Sequence, residues 1–259
     1  MKTPLAKKSF GQHFLKDQHV LERIAKIVEN LDPVNLVEVG PGMGALTKHL
    51  LVLNKNLLCI EADYDMQQIL LKEGILDANQ LIAQDVLKVH LDQLFHGEPL
   101  ILCGNFPYNI SSQILIQTLL SADCIPYMVG MFQKEVAQRI TASASTSEYG
   151  TISVLTQLLY DPERCFDIAP GAFVPPPKVT SSVILLRRKK EWITNPMFRG
   201  IQKLVRHAFQ YRRKTLRNNL RTYLKKHEVL SDPYFDLRAE ALTPDDFKNL
   251  YLRLQPHCE

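Results

Sequence analysis

An amide, a backbone carbonyl and a phenol ring stand together in Asn105-Phe106-Pro107-Tyr108. This set suits an exocyclic amine on an aromatic base. Such an amine is a weak nucleophile because its lone pair is delocalised into the ring, and two acceptors that bond its N–H groups favour a tetrahedral nitrogen. The Asn105 side-chain oxygen and the Phe106 carbonyl are the candidate acceptors, with Pro107 setting the turn that aims the carbonyl inward. Tyr108 can stack on the base, a contact worth about 1–3 kcal/mol by alanine substitution, and Phe173 is the candidate for the opposite face. The chemistry implied is alkylation of adenine N6 by a donor that carries its own leaving group. Positioning and charge placement are then what the protein supplies. Taken alone the four residues also describe an ordinary turn, so their surroundings carry the weight.

Val37-Glu38-Val39-Gly40-Pro41-Gly42-Met43-Gly44-Ala45 reads as a strand, a glycine turn and a helix start. That arrangement lets a nucleotide-type ligand approach the backbone closely. Gly40-x-Gly42-x-x-Ala45 also satisfies the dinucleotide fingerprint, so an NAD-dependent oxidoreductase stays open. Two acids favour S-adenosylmethionine instead: Glu38, two residues before the first glycine, and Glu61, 21 residues after it. They suit a cationic ligand with a ribose diol and no pyrophosphate. The two oxygens of Glu61 match the two ribose hydroxyls. Asp85 can accept from the adenine amine of the cofactor, or simply cap the turn that begins at Val86.

These residues need a scaffold that gathers them, and the chain alternates short apolar runs with helical periodicity, as an α/β domain with a mostly parallel sheet does. Strands are expected at 36–39, 57–60, 81–83, 100–103, 127–132 and 179–187, with helices at 20–29, 45–53, 66–73, 112–120, 134–141 and 152–159. Gly40, Glu61, Asp85 and Asn105 then fall on one row of strand ends, where such sheets bind ligands. Residues 142–150 are small, polar and glycine-terminated and read as a mobile loop or flap. Phe173-Val-Pro-Pro-Pro-Lys-Val179 must be extended. Beyond residue 190 only helices are expected, at 197–209, at 214–225 and from about 243, where Thr243-Pro244-Asp245-Asp246 supplies a cap, a first-turn proline and acids. We expect a cofactor-binding catalytic domain over 1–190 and a small all-α domain over 191–259.

With 46% hydrophobic residues in a chain of 259, a sizeable core is available. Five scattered cysteines, without paired spacing, argue for a reducing cytoplasm and against a disulfide framework or structural metal. No export signal or membrane span is expected. Charge is uneven: between Arg187 and Lys226 there are 14 Lys or Arg and one acid. A charge run is usually a solvated face, but here the arginines recur among His207, Phe209 and Tyr211, and a polyanion-binding surface is the better reading. Its candidate contacts are Arg206, Arg212, Arg213, Lys214, Arg217 and Arg221.

Together these motifs resemble the ribosomal RNA adenine dimethyltransferases, most closely the branch acting near the 3′ end of small-subunit rRNA. Lys8-Ser-Phe-Gly-Gln-His-Phe-Leu15 is similar to the family's N-terminal motif, whose positions at His13 and Leu15 line the cofactor site. Residues 38–44, 61, 85, 105–108, 173–179 and 209–220 match its other motifs. His13 stands where Asn is common, Phe106 where Leu is, and Thr151 where the family carries a basic residue. The resemblance implies a Rossmann-like class I methyltransferase with a seven-stranded sheet. It further implies a monomer that uses S-adenosylmethionine to dimethylate two adjacent adenosines in a 16S rRNA hairpin loop, within a partly assembled small subunit. An enzyme of the antibiotic-resistance type acting on the large subunit, a DNA adenine methyltransferase and a noncatalytic RNA-binding assembly factor remain open beside it.

Overall fold

The computed structural model describes residues 7, 11–191, 193–224 and 228–255. Lys8, Ser9 and Phe10 of the N-terminal motif, Lys225 and Lys226 of the basic stretch, and Cys258 lie outside the described residues. The chain forms two compact units, one from residues 1–137 and 163–188, the other from 138–162 and 189–259.

The first unit begins with β1 (Phe14–Leu15), α1 (Gln18–Glu29), β2 (Asn35–Val39), α2 (Ala45–Leu51), β3 (Asn56–Ile60), α3 (Tyr64–Lys72) and β4 (Leu81–Ile82). It continues through β5 (Leu100–Gly104), α4 (Ser111–Leu120), β6 (Tyr127–Gln133) and α5 (Lys134–Thr141), which runs on into the second unit. After α6 (Thr151–Leu159) of the second unit, β7 (Tyr160–Ile168) leads back, and β8 (Phe173–Val174) and β9 (Ser181–Arg188) complete the first unit. The seven-stranded sheet has the order β4-β3-β2-β5-β6-β9-β7. Pairings from β4 through β6 are parallel, and β9 is antiparallel to β6.

All five residues of β2 and of β5 are buried, because helices cover both sheet faces and leave no polar face to alternate with. On one face, Leu21, Ile24, Ala25 and Val28 of α1 join Leu36, Cys59, Ile101, Cys103 and Val129 of the strands in one apolar cluster. Strand order reverses direction between β2 and β5, so the loops after these neighbouring strands diverge and leave a crevice at their C-terminal ends. β7 was not anticipated from sequence. It carries Pro162 and little apolar alternation, which an edge strand tolerates.

In the second unit α6 packs against α7 (Asn195–Ala208) and α9 (Pro244–Leu254), and α7 also meets the short α8 (Leu216–Asn219). Leu155, Phe198, Ile201, Leu204, Phe247 and Leu250 are buried there. A single cut at residue 190 does not describe this division, because residues 138–162 belong to the helical unit, where α6 buries Val154, Leu155 and Leu158. The helix expected over 214–225 is reduced to α8, since Leu216 N–H bonds the Leu237 carbonyl at 2.8 Å and Asn219 donates to the Ala208 carbonyl at 2.6 Å, bending the segment into turns. Residues 142–150 are likewise tethered rather than loose. Tyr149 is buried and its hydroxyl donates to the Leu242 carbonyl at 2.8 Å, while Ser145 N–H reaches the Glu240 carbonyl at 2.8 Å. Among the described residues no helix is long and apolar enough to cross a membrane.

Gly130 on β6 shows how tightly the sheet supports the loop after β5. A Cβ there would collide with the Phe106 ring and lie 2.9 Å from Cε2 of Phe132. Gly130→Ala is expected to destabilise the protein by about 1–3 kcal/mol through overpacking. A lower urea midpoint at unchanged m-value would show it; an unchanged midpoint would contradict this packing.

Candidate active site

A cavity of about 340 Å³ opens at the C-terminal ends of β2, β3 and β5, with the 84–86 segment after β4 beside it. Its lining includes Gly11 to Leu15, Glu38 to Met43, Glu61, Asp85 and Asn105 to Ile110. The row of strand ends expected from sequence therefore meets in one place. Gly40 and Gly42 have φ of +70° and +57°, a region that L side chains rarely adopt. A Cβ on Gly42 would also lie 3.1 Å from Cε1 of Phe14. The turn is thus shaped by its own backbone and roofed by the N-terminal segment.

Two carboxylates face this space. Glu61 is buried, and its oxygens accept N–H of Gly42 at 3.0 Å and of Asp63 at 2.9 Å. Burial raises its pKa, and those two backbone donors oppose the rise. Glu38 is 1% exposed and its carboxyl is pushed up to about 7, chiefly by burial, opposed by the neighbouring Thr47 and Cys59 side chains and with the Glu61 charge adding to the rise. The Cys59 thiol lies 3.6 Å from Oε2 of Glu38. Asp85 both lines the cavity and caps the following turn, accepting from Leu87 N–H at 3.0 Å. Its two sequence readings are compatible, because a carboxylate has more lone pairs than one cap consumes.

Asn105 donates its Nδ2 to the His13 carbonyl at 2.8 Å. That bond commits the amide nitrogen and leaves Oδ1 as the acceptor the motif requires. The Phe106 side chain takes no part in the cavity chemistry. It is fully buried, edge-on to Phe132 with centroids 5.5 Å apart, and so anchors the backbone whose carbonyl is the second candidate acceptor. Pro107 accepts from Ile110 N–H at 3.1 Å, closing the turn. The Tyr108 ring stacks on His13 with centroids 5.5 Å apart and planes 28° from parallel, and its hydroxyl lies 2.5 Å from Ser181 Oγ.

Phe173 departs from expectation. It is 1% exposed, pairs with Leu15 across the short β1–β8 ladder and belongs to the apolar cluster under α1, so it is absent from the cavity lining. A phenyl ring with no base to stack on gains more by burial than by exposure. The proline run does reach the site by another route, since the Pro175 carbonyl lies 2.7 Å from His13 Nδ1.

Sequence reasoning missed three contributors. Gln12 Nε2 donates to Asp63 Oδ2 at 2.8 Å, and Lys7 Nζ bonds Asp63 Oδ1 at 2.6 Å, so the N-terminal segment is fastened two residues beyond Glu61. Ser181 is the third. The only available signal was position: Asp63 follows an expected cofactor residue and Ser181 follows the proline motif.

In the second unit Arg206, Arg213, Lys214 and Arg221 are exposed. Arg212 and Arg217 have structural roles that their basic character did not reveal. Arg212 Nε pairs with Glu240 at 3.2 Å and its guanidinium donates to the Thr146 and Ser147 carbonyls. Arg217 Nε bonds Asp236 at 2.9 Å and its guanidinium reaches the Leu230 and Asp232 carbonyls. Five donors per guanidinium make arginine apt for such loop bracing.

A doubly wound sheet with these strand-end residues has the class I methyltransferase fold. A dimethyladenosine transferase from Plasmodium falciparum superposes with a TM-score of 0.76 at 26% identity, covering 95% of this chain and all of that one. The 23S rRNA methyltransferase ErmE shares the fold at a TM-score of 0.67 and 23% identity, over 93% of this chain and 99% of its own. The sequence model for ribosomal RNA adenine dimethylases matches residues 4–254. A "Ribosomal RNA small subunit methyltransferase A" from Flavobacterium johnsoniae is 41% identical over 93% of each chain. The chain belongs to the ribosomal RNA adenine dimethylase family.

Glu38 makes the cost of the site measurable. Its folded pKa lies above its ordinary value of 4.5, so the native state holds the proton more tightly and stability falls as pH rises from about 4.5 through 7. At about 1.4 kcal/mol per pKa unit, the penalty at alkaline pH is about 3–4 kcal/mol. Glu38→Gln is expected to be more stable than the parent by roughly that amount at pH 8, with the difference narrowing towards pH 5. Urea unfolding at the two pH values checks this, and a gap independent of pH would refute the burial argument.

Proposed function

We propose that this chain transfers methyl groups from S-adenosylmethionine to N6 of two adjacent adenosines in a hairpin loop near the 3′ end of 16S rRNA. It acts as a monomer, in the cytoplasm, on a partly assembled small subunit. The observation that carries the reading is Asn105, whose amide nitrogen is bound to the His13 carbonyl and whose oxygen is left for a substrate donor, in a cavity that also holds Glu38, Glu61 and the Gly40–Gly42 turn. Family membership removes the oxidoreductase reading, and the small-subunit relative favours 16S over 23S rRNA.

The residues present fit the cofactor. The left-handed glycine turn admits a ligand against bare backbone, and two buried carboxylates suit a cation with a ribose diol. His13 and Leu15 close the same cavity, and Asp85 borders it. Glu61 accepts ribose hydroxyls with lone pairs left over from its backbone bonds, and Glu38 supplies negative charge that grows as pH rises through about 7. When bound, S-adenosylmethionine supplies an electrophilic methyl on a sulfonium that leaves as a neutral thioether. The chain's own task is to bond the adenine N–H groups through Asn105 Oδ1 and the Phe106 carbonyl, returning the nitrogen lone pair to the reacting position. Tyr108 presents its ring to the base. A loop base is easier to unstack than one in a duplex, which suits a site of this depth. The exposed Arg206, Arg213, Lys214 and Arg221 bind rRNA phosphates, with Arg212 and Arg217 adding charge to the same segment.

Asn105→Ala is expected to lower turnover on undermethylated small subunits by about 100-fold, the cost of losing one preorganised transition-state hydrogen bond. Nucleoside mass spectrometry reads the product, and N6-monomethyladenosine as the only product would refute dimethylation. Replacing Arg213 and Lys214 together by alanine is expected to weaken subunit binding and to flatten the slope of log K against log salt by about 1 per residue. An unchanged slope would remove both from the rRNA contact.

A further inference from the structure

Tyr108 can orient a base only if its own ring is held, and the loop backbone alone does not hold it. Two side-chain torsions separate the ring from the turn at Pro107. The hydroxyl lies 2.5 Å from Ser181 Oγ, and Ser181 is fully buried. Topology explains why a residue 73 positions away is available. β9 is the strand that runs against β6, with Ser181 paired to Gln133, so its first residue stands at the edge where the parallel strands end. That start is rigid. Lys134 N–H donates to the Thr180 carbonyl at 2.9 Å, Ser182 Oγ donates to Asp167 at 2.6 Å, and Asp167 pairs with Lys134 at 2.7 Å. From the other direction the His13 ring lies against the Tyr108 face. A hydroxyl tether at the ring's far end and a stacked ring on its face together define both torsions.

We infer, on the strength of the methyl-transfer reading above, that Ser181 is a positioning residue: it holds the Tyr108 ring in the plane that receives the target adenine beside Asn105. It touches neither cofactor nor base and acts through the phenol hydroxyl. Burial raises the Tyr108 pKa, so the phenol stays protonated and can serve as donor or acceptor in this pair.

The test is a double-mutant cycle on undermethylated small subunits with Ser181→Ala, Tyr108→Phe and the pair. Tyr108→Phe keeps the stacking face and removes only the tether, so it remains informative even if Ser181→Ala folds poorly. Each single change is expected to lower kcat about 10-fold, because loss of base orientation acts on the bound complex. KM for subunits and the calorimetric affinity for S-adenosylmethionine stay within twofold of the parent. The pair falls no further than either single change, which is the signature of one shared interaction. A Tyr108→Phe enzyme at the parental rate, or losses that multiply in the pair, would overturn the assignment. A loss in cofactor affinity that matches the loss in rate would overturn it too, since the residue would then be shaping the cofactor cavity. Parental protein that forms no methylated adenosine at all would instead bring down the methyl-transfer reading, and Ser181's role with it.

Discussion

The hydrogen bond from Asn105 Nδ2 to the His13 carbonyl, 2.8 Å long, joins segments 92 residues apart and determines what the site can do. An amide side chain has a donor end and an acceptor end, and a substrate amine needs the acceptor. By engaging the donor, the His13 backbone selects the orientation that exposes Oδ1. Everything around it serves that contact. Gln12 and Lys7 fasten the N-terminal segment to Asp63, Leu15 pairs with Phe173, and the Pro175 carbonyl holds the His13 ring. The strand-like stretch at the start of the chain is therefore part of the proposed reaction centre as well as a wall of the cavity.

The electrostatics follow from the same enclosure. Burial raises the pKa of both carboxylates, and the Glu61 charge raises that of Glu38 further. Glu61 has backbone donors that offset this, whereas Glu38 is left near the neutral range. A site arranged in this way is destabilising for the free protein and complementary to a cation, the usual opposition between stability and function at a binding site. The glycine turn has the same character, since its left-handed backbone is unfavourable for any residue with a side chain and open to a ligand only because none is there.

The basic segment of the second unit shows how far composition carries. Its excess of arginine was visible at once, but equal-looking arginines divide by their surroundings. Arg212 and Arg217 lie beside Glu240, Asp236 and loop carbonyls, and Arg212 does so while as exposed at the surface as Arg213 and Lys214. Those acids, Asp236 and Glu240, lie beyond the basic stretch in the sequence. The helix expected at 214–225 failed for the same reason, because contacts to residues 208 and 237 outweigh local helical preference.

The sequence by itself placed six of the seven strands of the sheet, set out the strand-end row and singled out the motif at residues 105–108. These rest on local demands: apolar runs of strand length, glycines where φ must be positive, and acids placed at or near strand ends. It did not determine which way an amide faces, whether Phe173 lies in the core or the cavity, which arginines brace the fold, or that Ser181 would meet Tyr108. Those outcomes depend on partners distant along the chain, and burial and hydrogen-bond geometry select among them only after the antiparallel β9 and the N-terminal segment have closed on the ends of the parallel strands.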